Sequence, residues 1–207
     1  DLVSNVLSVV HDNARWSMFG PSAGSRAFVS AGFTRDLSSG AGDFAILQAE
    51  YRQYFTPAPQ FVIAGRVQGQ SGLWRDAPNF YVGGPYTLRG FDRRFLSGRR
   101  TLVVQEELRF PLVRGLTVAI PAPWGFPTIQ GALFADAAWA QGDVSRLDEA
   151  LGSTFGAHHL SAGAVGVGVF VGGGYYPAIR WNFAWPTLDF RTLSNRPRTQ
   201  FSIGYNF

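Results

Sequence analysis

The sequence predicts an all-β fold, an antiparallel transmembrane β-barrel of about nine strands. Three observations carry that prediction. Hydrophobicity alternates with period two along most of the chain. The alternating segments are mostly ~9–11 residues long, the length of a tilted transmembrane strand and longer than the ~5–6 of an ordinary globular one. The connections between them differ sharply in length, as they do in outer-membrane barrels, where short periplasmic turns oppose long external loops.

Residues 3–10 (VSNVLSVV) open the pattern, followed by 24–34 (GSRAFVSAGFT), 43–55 (DFAILQAEYRQYF) and 60–69 (QFVIAGRVQG). Within 43–55, Ala45, Leu47, Ala49, Tyr51, Gln53 and Phe55 form a mostly apolar set. The interleaved set becomes polar at Gln48, Glu50 and Arg52. Such a strand has one face toward lipid or core and the other toward water. Residues 101–110, 129–139, 161–171, 178–186 and 200–207 complete the set of nine.

Segments 56–59 and 172–177 are short and rich in Pro or Gly, whereas 70–100, 140–160 and 187–199 are long. Residues 11–23 and 111–128 are long where the alternation asks for short turns. Pro111, Pro121, Pro123 and Pro127 exclude a helix from the second. The one helical signal is Ser145–Leu151, where Ser145 and Asp148 have capping-box spacing. Tyr54, Trp139, Trp181, Trp185 and Tyr205 lie near predicted strand ends, as an interfacial aromatic girdle would. On pattern alone the rival is a soluble β-sandwich with a large aromatic core.

Composition removes other classes. All 18 basic residues are Arg, against 14 acidic ones, giving a net charge of +4 and a pI near 9.8. The arginines are dispersed apart from Arg93, Arg94, Arg99 and Arg100, which argues against a nucleic-acid footprint. The absence of cysteine excludes disulfides and thiolate metal sites. No uninterrupted apolar run reaches the ~20 residues of a membrane helix. The chain starts at Asp1 without a basic, Met-led signal segment, so a mature form or a piece of something longer is expected. His158-His159 has no evident third ligand, and no Ser stands in a Gly-x-Ser-x-Gly elbow. No catalytic residue, metal or cofactor is therefore expected, and the protein is read as not an enzyme.

The carboxy-terminal segment places Phe201, Ile203, Tyr205 and Phe207 on one strand face. Exposed in water, that face would be an aggregation hazard; against lipid it is ordinary. It also resembles the terminal recognition signal of outer-membrane barrels, which ends in Phe.

Residues 83–91 read Gly-Gly-Pro-Tyr-Thr-Leu-Arg-Gly-Phe. Leu88-Arg89-Gly90-Phe91 resembles the Val/Ile-Arg-Gly-Phe/Tyr motif of the BamA-type outer-membrane assembly factors. This bacterial surface antigen family also includes TamA and the two-partner secretion transporters. Three further stretches agree with it in order and spacing. Glu107-Leu108-Arg109-Phe110-Pro111 resembles the strand after that motif. Phe134-Ala135-Asp136 resembles the Phe-x-Asp of the next strand. His11-Asp12-Asn13, Gly20-Pro21 and Gly24-Ser25-Arg26 resemble the Asp…Pro-x-x-Gly entry to an earlier one. Leu88 and Ala138 depart mildly from the family pattern.

The resemblance implies that residues 1–207 are the C-terminal part of a sixteen-strand barrel, with upstream strands and any periplasmic domain lying outside this sequence. Loop 70–100 would fold back into the lumen. The implied work is insertion of outer-membrane proteins, or translocation of a polypeptide, in the bacterial outer membrane. The alternative is a passive anchor or secretion barrel for a soluble domain fused upstream. Implied partners are outer-membrane lipid and lipopolysaccharide, an unfolded outer-membrane protein or passenger polypeptide, and the barrel-assembly machinery, with no nucleic acid.

Strand parity gives Arg89 its candidate partners. A buried cation needs a counter-charge. Gln105, Glu107 and Arg109 share one strand face, and Phe134 and Asp136 share another. If those faces are luminal, both carboxylates can meet the guanidinium fork. Gly90 would allow close backbone approach, and Phe91 would pack on the wall near Phe134. The same parity turns Glu106 outward between Val104 and Leu108, unless it lies at the interface or a bulge shifts the register.

Overall fold

The computed structural model describes residues 1–17, 20–38, 42–74, 76–118, 124–142, 159–173 and 176–204. Among them, structure is all β. The strands are β1 (Leu2–Asp12), β2 (Arg15–Ser17), β3 (Gly20–Asp36), β4 (Phe44–Ala58), β5 (Phe61–Leu73), β6 (Phe80–Val82) and β7 (Leu96–Gly98). They continue with β8 (Arg100–Val118), β9 (Trp124–Gln141), β10 (His159–Gly173), β11 (Tyr176–Leu188), β12 (Thr192–Leu193) and β13 (Arg198–Ile203). One antiparallel sheet runs β1-β3-β4-β5-β8-β9-β10-β11, and β12 and β13 both pair with β11. Strands β6 and β7 form a separate small hairpin inside the connection 74–99. The sheet is open: among the described residues β1 pairs only with β3, and β13 only with β11.

Each of the nine alternating segments overlaps a strand of this sheet, the last only over 200–203, and several strands run further than the pattern suggests. Strand β8 continues through Pro111 to Val118, and β9 starts at Trp124, so a hairpin replaces the long connection expected over 111–128. A register shift between Pro111 and Val113 accommodates the proline, which cannot donate a ladder hydrogen bond. Residues 11–23 are likewise largely strand, with β2 folded back on the start of β3. The expected helix at Ser145–Leu151 lies outside the described residues.

Connection 74–99 lies against one face of the sheet, here the inner face, and period two decides which side chains meet it. On β8 these are Thr101, Val103, Gln105, Glu107 and Arg109, all buried, while Leu102 and Glu106 are exposed. On β9, Phe134, Asp136, Ala138 and Ala140 are inner. On β11, Ala178, Arg180, Asn182 and Ala184 are inner, with Trp181 exposed outside. Tyr54 corrects the aromatic-girdle expectation. It shares the parity of Glu50 and Arg52, is 1% exposed and packs with Ala64 on the inner side.

The sheet wraps around the connection. Tyr86 receives a hydrogen bond from Arg66 on β5 at its carbonyl and donates one from its hydroxyl to Ile203 on β13. Along the sheet those strands are five spacings apart, about 24 Å at the usual strand separation. One residue touches both only because the sheet curves around it.

Two kinds of contact hold the connection in place. Val82, Leu88, Phe91 and Leu96 from the connection are buried in one cluster with Val103, Phe134, Leu160 and a row of alanines including Ala138, Ala162, Ala164 and Ala184. The small wall residues leave room for the large ones. Burying such a side chain is worth ~1.5–3 kcal/mol, so each of these four helps to dock the connection. The polar contacts fix where the connection sits.

Candidate functional site

At the tip of the connection, Leu88 and Arg89 are fully buried. The backbone first makes a tight turn, with the Leu88 and Thr87 N–H groups donating to the Gly84 carbonyl. Thr87 Oγ1 accepts from the Gly83 N–H at 2.9 Å. This turn aims Arg89 at the inner faces of β8 and β9.

Arg89 meets Asp136 with three donors: its backbone N–H at 3.0 Å and Nε at 2.7 Å reach Oδ2, and Nη2 reaches Oδ1 at 2.5 Å. Its Nη1 donates to Glu107 Oε2. The guanidinium carbon lies 3.7 Å from the centre of the Phe134 ring. Arg89 thus has a carboxylate fork in its plane and an aromatic face above it. Burial works against its charge, but Asp136 and Glu107 outweigh that and hold the guanidinium above its ordinary pKa.

Glu107 is a hub. Besides Arg89 it accepts from Arg109 Nε at 2.8 Å and from Arg180 Nη1 at 3.2 Å and Nη2 at 2.5 Å. Arg180 is itself held by Asn182 Oδ1 at 2.7 Å and stands over the Phe170 ring at 4.2 Å. Arg109 Nη1 donates to the Pro21 carbonyl at 3.1 Å, so the Gly20-Pro21 segment is wired into the same site. On the other side Gln105 reaches Asp136 at 3.4 Å and accepts from Arg66 at 3.1 Å. Arg66 in turn holds Glu50 at 2.6 Å. A continuous polar chain crosses the inner space from β4 to β11.

Gly90 follows Arg89 at a φ of +83°, which only Gly adopts without strain. A Cβ there would come within 2.9 Å of Ala184 Cβ. The connection therefore lies flush on β11. Its backbone is then held by the last described strand: Gly90 N–H donates to Gln200 Oε1 at 2.9 Å, and Gln200 Nε2 donates to the Phe91 carbonyl at 2.7 Å. Phe91 shares the apolar cluster with Phe134 and meets Phe95 at a tilt, with ring centres 4.4 Å apart.

The arrangement is a lock. It holds an eleven-strand sheet, the connection 74–99 on its inner face and strand β13 in one geometry. The Omp85 superfamily domain matches residues 7–207, nearly the whole chain. The chain belongs to the Omp85 superfamily. No curated protein matches it. Omp85 proteins are outer-membrane proteins whose general work is protein insertion or translocation, and the resemblance carried by Leu88-Arg89-Gly90-Phe91 agrees with that membership.

Within this Omp85 chain, the structure brings together Leu88, Arg89, Gly90, Phe91, Glu107, Phe134 and Asp136. Sequence reasoning missed Arg180, Arg66 and Gln200 as members of the same network. Parity was the available signal: Arg180 and Asn182 alternate with Ile179, Trp181 and Phe183 as inner-face residues would. In the terminal segment, Phe201 and Ile203 are exposed on the outer face and Ser202 is buried inside. Tyr205 and Phe207 lie outside the described residues, as does His158. Glu106 stands exposed on the outer face between Gly65 and Ala135, and the register through it is unbroken, so no bulge turns it inward. Gly65 leaves space for its carboxylate, which lies 2.9 Å from where a Cβ would be.

Proposed function

We propose that this chain is the C-terminal part of a BamA-type barrel that spans the bacterial outer membrane and inserts outer-membrane proteins or translocates a polypeptide. The observation that carries the reading is the tie between the Arg89 lock and the terminal strand through Gln200 and Tyr86. It couples the lumen-filling connection to the strand at one edge of the open sheet. A seam at that edge is where an incoming strand could pair.

The other edge supports closure by further strands. Strand β1 carries Leu2, Val6, Leu7, Val9 and Val10 exposed on both faces, beside an unpaired backbone edge. An unpaired edge in hydrocarbon costs several kcal/mol for each unsatisfied group. Upstream strands would pair with β1, and the barrel would place Phe201, Ile203, Tyr205 and Phe207 where lipid and the assembly machinery meet them.

The test uses the full-length protein in proteoliposomes with a urea-denatured outer-membrane barrel as client. Faster folding of the client than in empty liposomes, with the gain lost in Arg89→Ala, is the expected result. A client that folds no faster, while a domain attached upstream still reaches the cell surface, would overturn the insertase reading in favour of a passive anchor.

A further inference from the structure

Among the described residues, Glu106 is the one charged side chain in the three outer rows that run unbroken across β4, β5, β8, β9, β10 and β11. Its own row reads Gln53, Gly65, Glu106, Ala135, Val165 and Trp185. The neighbouring row toward connection 74–99 holds Val67, Val104 and Ala137, and the one toward the Gln60 turn holds Ile63, Leu108 and Leu133. Gly65 lies five residues from that turn, about 12 Å of height for a strand tilted by ~40°. The carboxylate therefore stands inside the outward apolar band and not at its edge.

The wall satisfies the other polar side chain of that row but not Glu106. Gln53 accepts from the Tyr51 hydroxyl at 2.6 Å and donates to the Gly24 and Tyr54 carbonyls at 3.0 and 3.2 Å. Glu106 has no hydrogen bond or ion pair among the described residues, and every residue bordering it on the outer face is described. Its two carboxylate oxygens lie over Gly65, 2.9 and 3.1 Å from where a Cβ would be. With Ala135 on the other side, no bulky side chain on either flanking strand of the row screens them. An ionisable group at this depth is costly unless a partner reaches it.

The bilayer itself selects the partner. Two copies inserted in the same direction carry Glu106 at the same height, and a two-fold axis along the membrane normal sets it against its own counterpart. The three outer rows offer no cation with which a second copy would form an ion pair instead. Two carboxyl groups need none. As neutral acids each donates its O–H to the other's carbonyl oxygen, which satisfies both and leaves no charge in hydrocarbon. We propose that the outer face centred on Glu106 is a homodimer interface closed by this carboxyl pair. The proposal rests on the outer-membrane reading above and adds to it a partner, a second copy of this chain.

The test counts dimers of the full-length protein in proteoliposomes by single-molecule photobleaching over a range of protein-to-lipid ratios. The wild-type protein should dimerise, and so should Glu106→Gln, whose amides pair through the same two hydrogen bonds. Glu106→Leu should dimerise about tenfold more weakly, the loss of two such bonds in a membrane. Residues 1–207 contain no cysteine, so a single introduced one reports the geometry on a background free of others. Ala135→Cys should form an intermolecular disulfide, whereas Val29→Cys, exposed on the outer face of β3, should not. Wild-type monomers at every ratio would overturn the proposal. So would Glu106→Leu dimers as abundant as wild-type ones, a Glu106→Gln variant as weak as Glu106→Leu, or a disulfide at position 29 and none at 135. A protein that inserts as a heat-modifiable barrel but stays monomeric sinks the interface alone, whereas one that never enters a membrane sinks the outer-membrane reading.

Discussion

Arg89 grips Asp136 with its backbone as well as its side chain, through one main-chain and two guanidinium donors. The side chain alone could swing. The added main-chain bond fixes the loop itself to β9. Arg89→Ala removes the guanidinium and leaves Asp136 a buried carboxylate without an ion partner among the described residues. Breaking a buried pair in this way costs about 3–5 kcal/mol. The variant should unfold at a clearly lower urea concentration. Arg89→Lys should lie between it and the wild type, because Lys keeps the charge but not the fork. A lysine variant with wild-type unfolding and heat-modifiability would refute this.

Glu107 and Asp136 should differ in their sensitivity to loss of charge. Glu107 faces three guanidinium groups, whereas Asp136 faces one that also holds Glu107. Glu107→Gln would remove the carboxylate that Arg89, Arg109 and Arg180 share. Asp136→Asn would leave Arg89 with Glu107. Glu107→Gln is therefore expected to be the more destabilising by at least ~1 kcal/mol. Equal urea midpoints would show that the hub reading overstates Glu107.

Gly90→Ala should loosen the docked connection. The new methyl meets Ala184, a short side chain on a strand that has no free end to swing away, and the positive φ adds strain of about 1–3 kcal/mol. Pairing it with Ala184→Gly relieves the clash but not the strain, so rescue should be partial. Limited proteolysis within 74–99 reads the outcome. Full protection of Gly90→Ala, or complete rescue by the second change, would count against the close approach.

Tyr86→Phe deletes the hydroxyl that reaches the Ile203 carbonyl at 2.8 Å. The cost should be small, about 0.5–1.5 kcal/mol, the net worth of one hydrogen bond. Its effect should be local: faster amide exchange along β13, with β8 and β9 unchanged. Uniformly faster exchange would mean that Tyr86 supports the whole sheet and not the terminal strand.

Deleting Phe207 should reduce the amount of protein in the outer membrane more than it reduces the stability of barrels that do assemble. The reason is that the terminal aromatic face would serve recognition by the assembly machinery. Undiminished membrane levels at equal expression would refute it.

Much of this was legible because a strand has period two. Once Gln105, Glu107 and Arg109 were on one face, and Phe134 and Asp136 on another, the partners of Arg89 followed. Parity reports which face a residue is on, not how far the sheet curves. Arg180 on β11 and Gln200 on β13 were therefore invisible as neighbours of Arg89, although both alternate correctly. Pro111 misled for a different reason. It ends an alternation in sequence but not a strand in space, because a one-residue slip in register accommodates the missing donor. Tyr54 misled because an aromatic near a strand end suggests an interface, while its parity places it inside.

The bonds that hold the connection join residues far apart in the chain: 47 positions between Arg89 and Asp136, 110 between Gly90 and Gln200, and 117 between Tyr86 and Ile203. Contacts of such separation carry a large loop-closure cost and slow folding. Tyr86 and Gly90 cannot find their partners on β13 until β8 to β11 are in register and the final strand has arrived. A chain halted before Arg198 would therefore keep the Arg89 contacts to β8 and β9 but leave the connection without its contacts to β13 and more open to proteases.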